Sequence, residues 1–322
     1  MRYAVLGVSL ALTWFVLLNV VTSAVVAGLT RVLVSGRANR LEPSGASLWF
    51  WLRLSPSAVA FLVVAGAIVP AYARLEPRDV VEPVGVGLCA VTIAALSLIG
   101  WSLGRGVAGW HRALVQMRAW LQQAERLPWP AKPVPVFGVR DRFPAVSLVG
   151  ICRQRLFVAR QVLDVLTPEE LHVVVDHELR HHSAWDNIKR LLLLASPDAL
   201  AFLPAGAHLE REWARAAESA ADCRATGGDA RKRVALAAAV LKVARLMPAP
   251  APLNAPVSNL YCGGPLAARV QRLLRNDFEP PATIVPRVVI AAVALALVSS
   301  AIGSPLLPAV HRCTECLVRL LA

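Results

Sequence analysis

Charge is the first thing this chain is short of. Only 17% of its 322 residues are charged, against 56% hydrophobic, and the mean hydropathy is +0.54. A soluble domain carries nearer a quarter charged residues, so an ordinary soluble fold is excluded as the whole answer. Lysine is scarcer still: Lys132, Lys189, Lys232 and Lys242 are the only ones among 34 basic residues. The arginine excess reads as genome composition, because neither a membrane span nor a metal site needs arginine over lysine. The sequence also lacks any basic cluster interleaved with aromatics, which argues against direct nucleic-acid binding. Paired cysteine motifs are missing too. Cys89, Cys152, Cys223 and Cys262 stand singly, and Cys313-Thr-Glu-Cys316 has no second pair to make it a metal site, so it is given no role.

What the chain does have is a net charge of +13 on an apolar background. That combination points to positive charge flanking membrane spans. Tyr3 to Thr30 is almost uninterrupted apolar sequence, longer than the core of a signal peptide, and is read as a retained span. A second span is expected from about Ser55 to Tyr72, a third from Val84 to Leu103, and a fourth from Ile284 to Leu307. Basic residues crowd both flanks of the central region: Arg105, Arg112 and Arg118 before it, Arg269, Arg272, Arg275 and Arg287 after it. This places the central region in the cytoplasm of a cell-membrane protein. The N-terminus, loop 74–83 and the C-terminus then lie outside, and loop 31–48 inside. The organisation expected is three spans and their loops over 1–110, a polar domain over 111–283, and a fourth span with a short tail over 284–322.

Within the polar domain, His111 to Leu127 has helical spacing, and the proline-rich run after it reads as an extended linker. Val136 to Val139, Ala145 to Cys152 and Arg155 to Ala159 are short β-branched runs, expected to form a small antiparallel sheet. Thr167-Pro168-Glu169-Glu170 then supplies an N-cap, a first-turn proline and a capping-box glutamate. The helix it starts carries His177-Glu178-Leu179-Arg180-His181. Two histidines four apart project from one helix face and can share a zinc ion, while Glu178 points elsewhere, toward a metal-held water, as a general base does. The competing reading is a solvated helix face that happens to hold two histidines.

A catalytic zinc site needs a third protein ligand. The helix expected over His208 to Ala225 offers Glu218-Ser-Ala-Ala-Asp222, with both carboxylates on one face. Glu218 is read as the third ligand and Asp222 as the acceptor that fixes a ligand imidazole. Glu210 and Glu212, beside Arg211 and Arg215, read as a solvated charged face. His172, His182, His208 and His311 lack ligand-like spacing to the pair and read as structural, with Asp186 placed to orient His182.

With these residues in view, the chain resembles the gluzincin zinc metallopeptidases. In its span arrangement it is similar to the membrane metallopeptidases of the BlaR/MecR antibiotic-sensor type, and more distantly to the CAAX prenyl protease and HtpX proteases. The resemblance runs from about Pro135 to Leu274 and includes Ala145 to Ile151, Arg155 to Val158 and Gly264-Pro265-Leu266 to Arg269. It implies a mainly α membrane protein with an α+β gluzincin-like domain inserted between its third and fourth transmembrane helices. It implies one zinc per chain on His177, His181 and Glu218, Glu178 as general base, and Asp222 behind a ligand. The expected activity is endopeptidase hydrolysis of a peptide or protein substrate lying along the strand Ala145 to Ile151 as a sheet edge. A transcriptional repressor is a further implied substrate. Sensors of this type continue into an extracellular penicillin-binding domain; the sequence here ends at Ala322, so sensing by that route is not expected. The alternative is a catalytically silent membrane scaffold, or a signalling protein without its own sensor domain.

Overall fold

A computed structural model describes residues 2–35, 45–78, 85–129, 133–140, 146–246, 258–259, 266–275 and 306–321. Its frame is three long apolar helical stretches: α1 (Arg2–Ser35), the stretch Gly45–Leu75, and α4 (Val86–Gln123). Each is long and apolar enough to cross a membrane. Val20, Val21, Val25, Phe61, Ile93, Leu96 and Leu103 point outward from them and are at least half exposed, as side chains that face lipid would be. Most of the expected fourth span, 284–305, lies outside the described residues.

Two of the expected boundaries move. The second stretch begins at Gly45, ten residues before Ser55, and passes through Pro56 inside α2 (Gly45–Val63). Pro56 cannot donate to the Leu52 carbonyl. Ser55 Oγ donates to it instead at 2.9 Å, so the helix survives its proline. A π-helical turn, Val64–Ile68, then precedes Pro70 and leads into α3 (Val69–Leu75), where Pro70 falls in the first turn. The third stretch does not stop near Leu103. It runs unbroken through 110 and 111 to Gln123, so the helix expected from His111 is its continuation.

α1 is built into the fold by polar contacts as well as by packing. Asn19, buried, donates to Pro197 O at 2.8 Å and accepts from Ala199 N at 3.0 Å.

The sheet sits at the far end of α4. Its strands are β1 (Glu125–Arg126), β2 (Val136–Val139), β3 (Val146–Val149), β4 (Arg155–Ala159) and β5 (Ser258–Asn259), in the order β1-β2-β4-β3-β5. It is mixed, not antiparallel: β2 and β4 run parallel, with Val136 opposite Leu156. β3 folds back between them in sequence but pairs on the outer side of β4, so β2 meets β4 by a crossover. Nor is β3 the sheet edge. Ser147 pairs with Asn259 and Leu148 with Ser258, which puts β5 outside it.

One face of the sheet packs on three helices: α5 (Arg160–Val165), α6 (Pro168–Ser183) and α9 (Ala230–Leu246). Val146, Leu148, Leu156, Val158, Val174, Leu236 and Val240 form that core. The other face receives the end of α4, where Trp120 meets Phe157 edge-on at 5.2 Å. α7 (Asp186–Ala195), a 3₁₀ turn (Ala199–Phe202) and α8 (Pro204–Thr226) then lie against α1 and α2. α10 (Leu266–Arg275) covers α9, and α11 (Leu306–Leu321) packs beside α3.

The start of α6 follows its sequence signal closely. Thr167 Oγ1 accepts from Glu170 N at 3.3 Å and Glu170 Oε2 accepts from Thr167 N at 2.8 Å, which completes the capping box. Lys242 Nζ also reaches Glu170 at 2.8 Å and ties the cap to α9. Thr167→Ala is expected to cost about 1 kcal/mol of stability, read as a lowered midpoint in denaturant unfolding in detergent. An unchanged midpoint would mean that the cap is idle.

Candidate metal centre

α6 and α8 cross so that His177, His181 and Glu218, all fully buried, face one another. His177 Nε2 and His181 Nε2 are 3.3 Å apart. Glu218 Oε2 is 3.4 Å from His177 Nε2, and Glu218 Oε1 is 3.4 Å from His181 Nε2. Ligands about 2.0–2.1 Å from a tetrahedral ion sit roughly 3.3–3.4 Å from each other. The triangle is therefore of the right size for a small divalent ion, which would take the place of the contact that Arg269 Nη2 makes with His177 Nε2 at 3.3 Å.

Small residues allow this crossing. Ala216, Ala217 and Ala221 are buried on α8 around Glu218, and Val173 and Val174 on α6 pack inward from the helix that carries the histidines.

The outer nitrogens of both imidazoles face carboxylates. His177 Nδ1 lies 2.9 Å from Asp222 Oδ1. Its distance is that of a hydrogen bond but its alignment is not, so the contact acts chiefly through charge. His181 Nδ1 lies 2.7 Å from Asp186 Oδ2. Asp186 therefore serves His181 and not His182, whose Nδ1 meets Gln154 Oε1 instead. The cause is the turn between α6 and α7: Trp185 takes a left-handed conformation (φ 60°) that swings Asp186 back onto the histidine face. Carboxylates in this position hold the tautomer and orientation of a ligand imidazole.

Arg269 is the residue that spacing on the two motif helices did not place here. From α10 its guanidinium forks onto Asp222, Nη2 to Oδ1 at 2.7 Å and Nε to Oδ2 at 3.0 Å. Nη1 stands 3.3 Å from Glu218 Oε2. Only its membership of the element Leu266 to Arg269 hinted at the centre.

The electrostatics follow from burial and from these pairs. Burial pulls the His181 imidazole down, but Glu218, Asp186 and Glu178 outweigh it and push the group up to about 10. Glu218 is opposed by burial, yet His181 and Arg269 hold it well below the ordinary carboxylate range. Burial raises Glu178, whose two oxygens have no hydrogen-bond partner among the described residues. Around the imidazoles, the carboxylates Glu178, Asp186, Glu218 and Asp222 are met by the cations Arg269, Lys189 and Arg190. The spacing of the donors is what suits this group to a cation.

The remaining acids and histidines go elsewhere. Glu212 pairs with Arg215 at 2.7 Å as expected, but Glu210 pairs with Arg53 of α2 at 2.9 Å. His172 stacks on Trp129, and His208 meets Trp49 edge-on. No protein-family model and no curated protein matches the chain.

Asp186→Asn is expected to weaken metal binding by about 10–100-fold while leaving the fold intact. Titration with a competing chelator checks it; an unchanged affinity would show that Asp186 does not support a ligand.

Proposed function

We propose that this chain is an integral-membrane zinc endopeptidase of the BlaR/MecR type, with His177, His181 and Glu218 as zinc ligands. The observation that carries this is the 3.3–3.4 Å triangle of donor atoms with a buried, unbonded Glu178 beside it. Two imidazoles and a carboxylate favour zinc among the common divalent ions. When bound, zinc supplies Lewis acidity toward a water and a scissile carbonyl.

The residues of the chain supply the rest. Glu178 accepts the proton of the attacking water and hands it to the leaving amine. Asp222 and Asp186 keep the imidazoles oriented, and Arg269 holds Asp222 in place. β3 runs beside α6, and substrate laid along it would be held by backbone bonds and read weakly in sequence. Because β5 pairs with β3, such a substrate has to displace Ser258 and Asn259.

The arginine-rich flanks set the centre on the cytoplasmic side, with the fourth span over 284–307 and both termini outside. A repressor-like protein that is unfolded or has a mobile segment is the substrate class this resemblance favours.

The test is chelator-reversible proteolysis by the full chain in detergent against an unstructured protein. Cleavage should vanish with the chelator and return with zinc, and His181→Ala should bind one zinc fewer than wild type. A zinc-loaded protein that cleaves nothing supports the silent-scaffold reading instead; a protein that binds no zinc at His177 sinks both.

A further inference from the structure

At the opposite end of the apolar helices a second group of donors comes together. Glu76 follows the last turn of α3, and His311 and Glu315 stand one turn apart on α11. One nitrogen of His311 and one oxygen from each glutamate lie within 4.8 Å of one another. This end is remote from His177. Tyr3 of α1 meets Tyr72 here with tilted rings 4.8 Å apart, and Gly87 of α4 lies against Leu321. Arg53, which pairs with the 3₁₀-turn and α8 side, is separated from Glu76 by roughly 35 Å of helix. That is about the thickness of a bilayer core.

α11 turns one face to the bundle. Leu307, Thr314, Val318 and Leu321 line it, and Thr314 Oγ1 accepts from Trp14 Nε1 at 3.1 Å. His311 occupies the same seam between Leu307 and Thr314, where an apolar residue would pack at least as well. Its side chain is 21% exposed, that of Glu76 8% and that of Glu315 29%. Nδ1 of His311 is buried with no hydrogen-bond partner among the described residues. It stands 3.9 Å from Glu76 Oε2, and Nε2 stands 4.0 Å from Glu315 Oε1. These separations are too long for hydrogen bonds. The two contacts fall on different ring nitrogens, and a shared ion takes only one. From one nitrogen both carboxylates offer an oxygen within 4.8 Å, and they must turn toward it to reach the roughly 3.3–3.6 Å of ligands that share an ion.

We propose that Glu76, His311 and Glu315 form a second divalent-cation site, of zinc-type His/carboxylate chemistry, that fastens α11 to the end of the helices remote from His177. The site is independent of the peptidase reading. It gives the chain a place where a cation on the other side of a membrane is registered by the packing of one amphipathic helix.

The test counts bound zinc by mass spectrometry in the full chain in detergent, after loading and removal of excess. His311→Ala is expected to hold one zinc fewer than wild type, and zinc should raise the melting temperature less in that variant. In a His181→Ala background the remaining zinc should disappear when His311→Ala is added. If only the first centre fails, His181→Ala matches wild type while His311→Ala still loses its ion, so the two failures are separable. Should His311→Ala not fold, Glu76→Gln gives the same readout. Equal zinc in wild type and His311→Ala overturns the proposal, leaving only an ion pair. Loss of zinc from Cys313→Ser/Cys316→Ser with retention in His311→Ala overturns it as well, in favour of the exposed thiols.

Discussion

Glu178→Gln is expected to lower the rate of peptide hydrolysis by about 10²–10⁴-fold, the range that a positioned general base contributes. Zinc content should not change, since Glu178 is not one of the three converging donors. An amide of the same shape fills the same space but cannot take up a proton. The pH profile separates this role from a merely structural one. An acid limb of kcat/KM that reports loss of the proton-accepting carboxylate should be present in wild type and absent from the residual activity of the variant. Stability moves the other way. In the metal-free protein burial raises the Glu178 carboxyl above its ordinary range. A carboxyl raised on folding binds more protons folded than unfolded across the window between its ordinary and its raised value. Its ionisation therefore costs stability as pH rises through it. Glu178→Gln should be as stable as wild type at neutral pH, or more so. A variant that loses activity only because it unfolds would contradict the assignment.

How far these side chains could be read beforehand depended on whether their geometry is local. Thr167, Pro168 and Glu170 act within one helical turn, and they start α6 where their chemistry says they should. His177 with His181, and Glu218 with Asp222, need only the period of a helix to share a face. Asp186 was legible as an acid near the histidines but not as the partner of His181. That pairing requires the left-handed turn at Trp185, and tryptophan is not a residue that announces positive φ. β2, β3 and β4 were legible as strands while β1 and β5 were not, and the parallel pairing of β2 with β4 depends on a crossover that no local pattern encodes. The second span was expected to begin near Ser55, but its helix starts at Gly45 and passes through Pro56, where Ser55 satisfies the freed carbonyl. Arg269 approaches Asp222 from a helix forty-odd positions further on. Its part in the centre exists only once α10 is packed.

Breaking the Arg53 clamp is expected to be the costliest single change to stability. Arg53 lies on α2, within one of the helices apolar enough to cross a membrane, and its side chain is 0% exposed. Nη1 donates to Asp198 Oδ2 at 2.7 Å and Nε to Glu210 Oε1 at 2.9 Å. Asp198 is equally buried, and its other oxygen accepts from Ala201 N at 3.1 Å, closing the 3₁₀ turn. Removing the cation leaves that carboxylate buried without its counter-charge, which costs about 3–5 kcal/mol. Arg53→Met keeps the bulk and should show this loss in denaturant unfolding in detergent. Pairing it with Asp198→Asn removes the stranded charge, so the double variant should recover a substantial part of the deficit. A single-variant loss below about 1 kcal/mol would mean that the pair is solvated as a surface bridge is. The consequence reaches the metal centre because Glu210 and Glu218 ride on the same helix. With Arg53 gone, α8 loses its ion-pair tie to α2 and keeps only the apolar packing of Trp213 and Leu209, which loosens the position from which Glu218 faces His177 and His181. Zinc affinity should therefore fall in Arg53→Met and return with Arg53→Lys only in part, since lysine offers a point charge where the site is built for a fork.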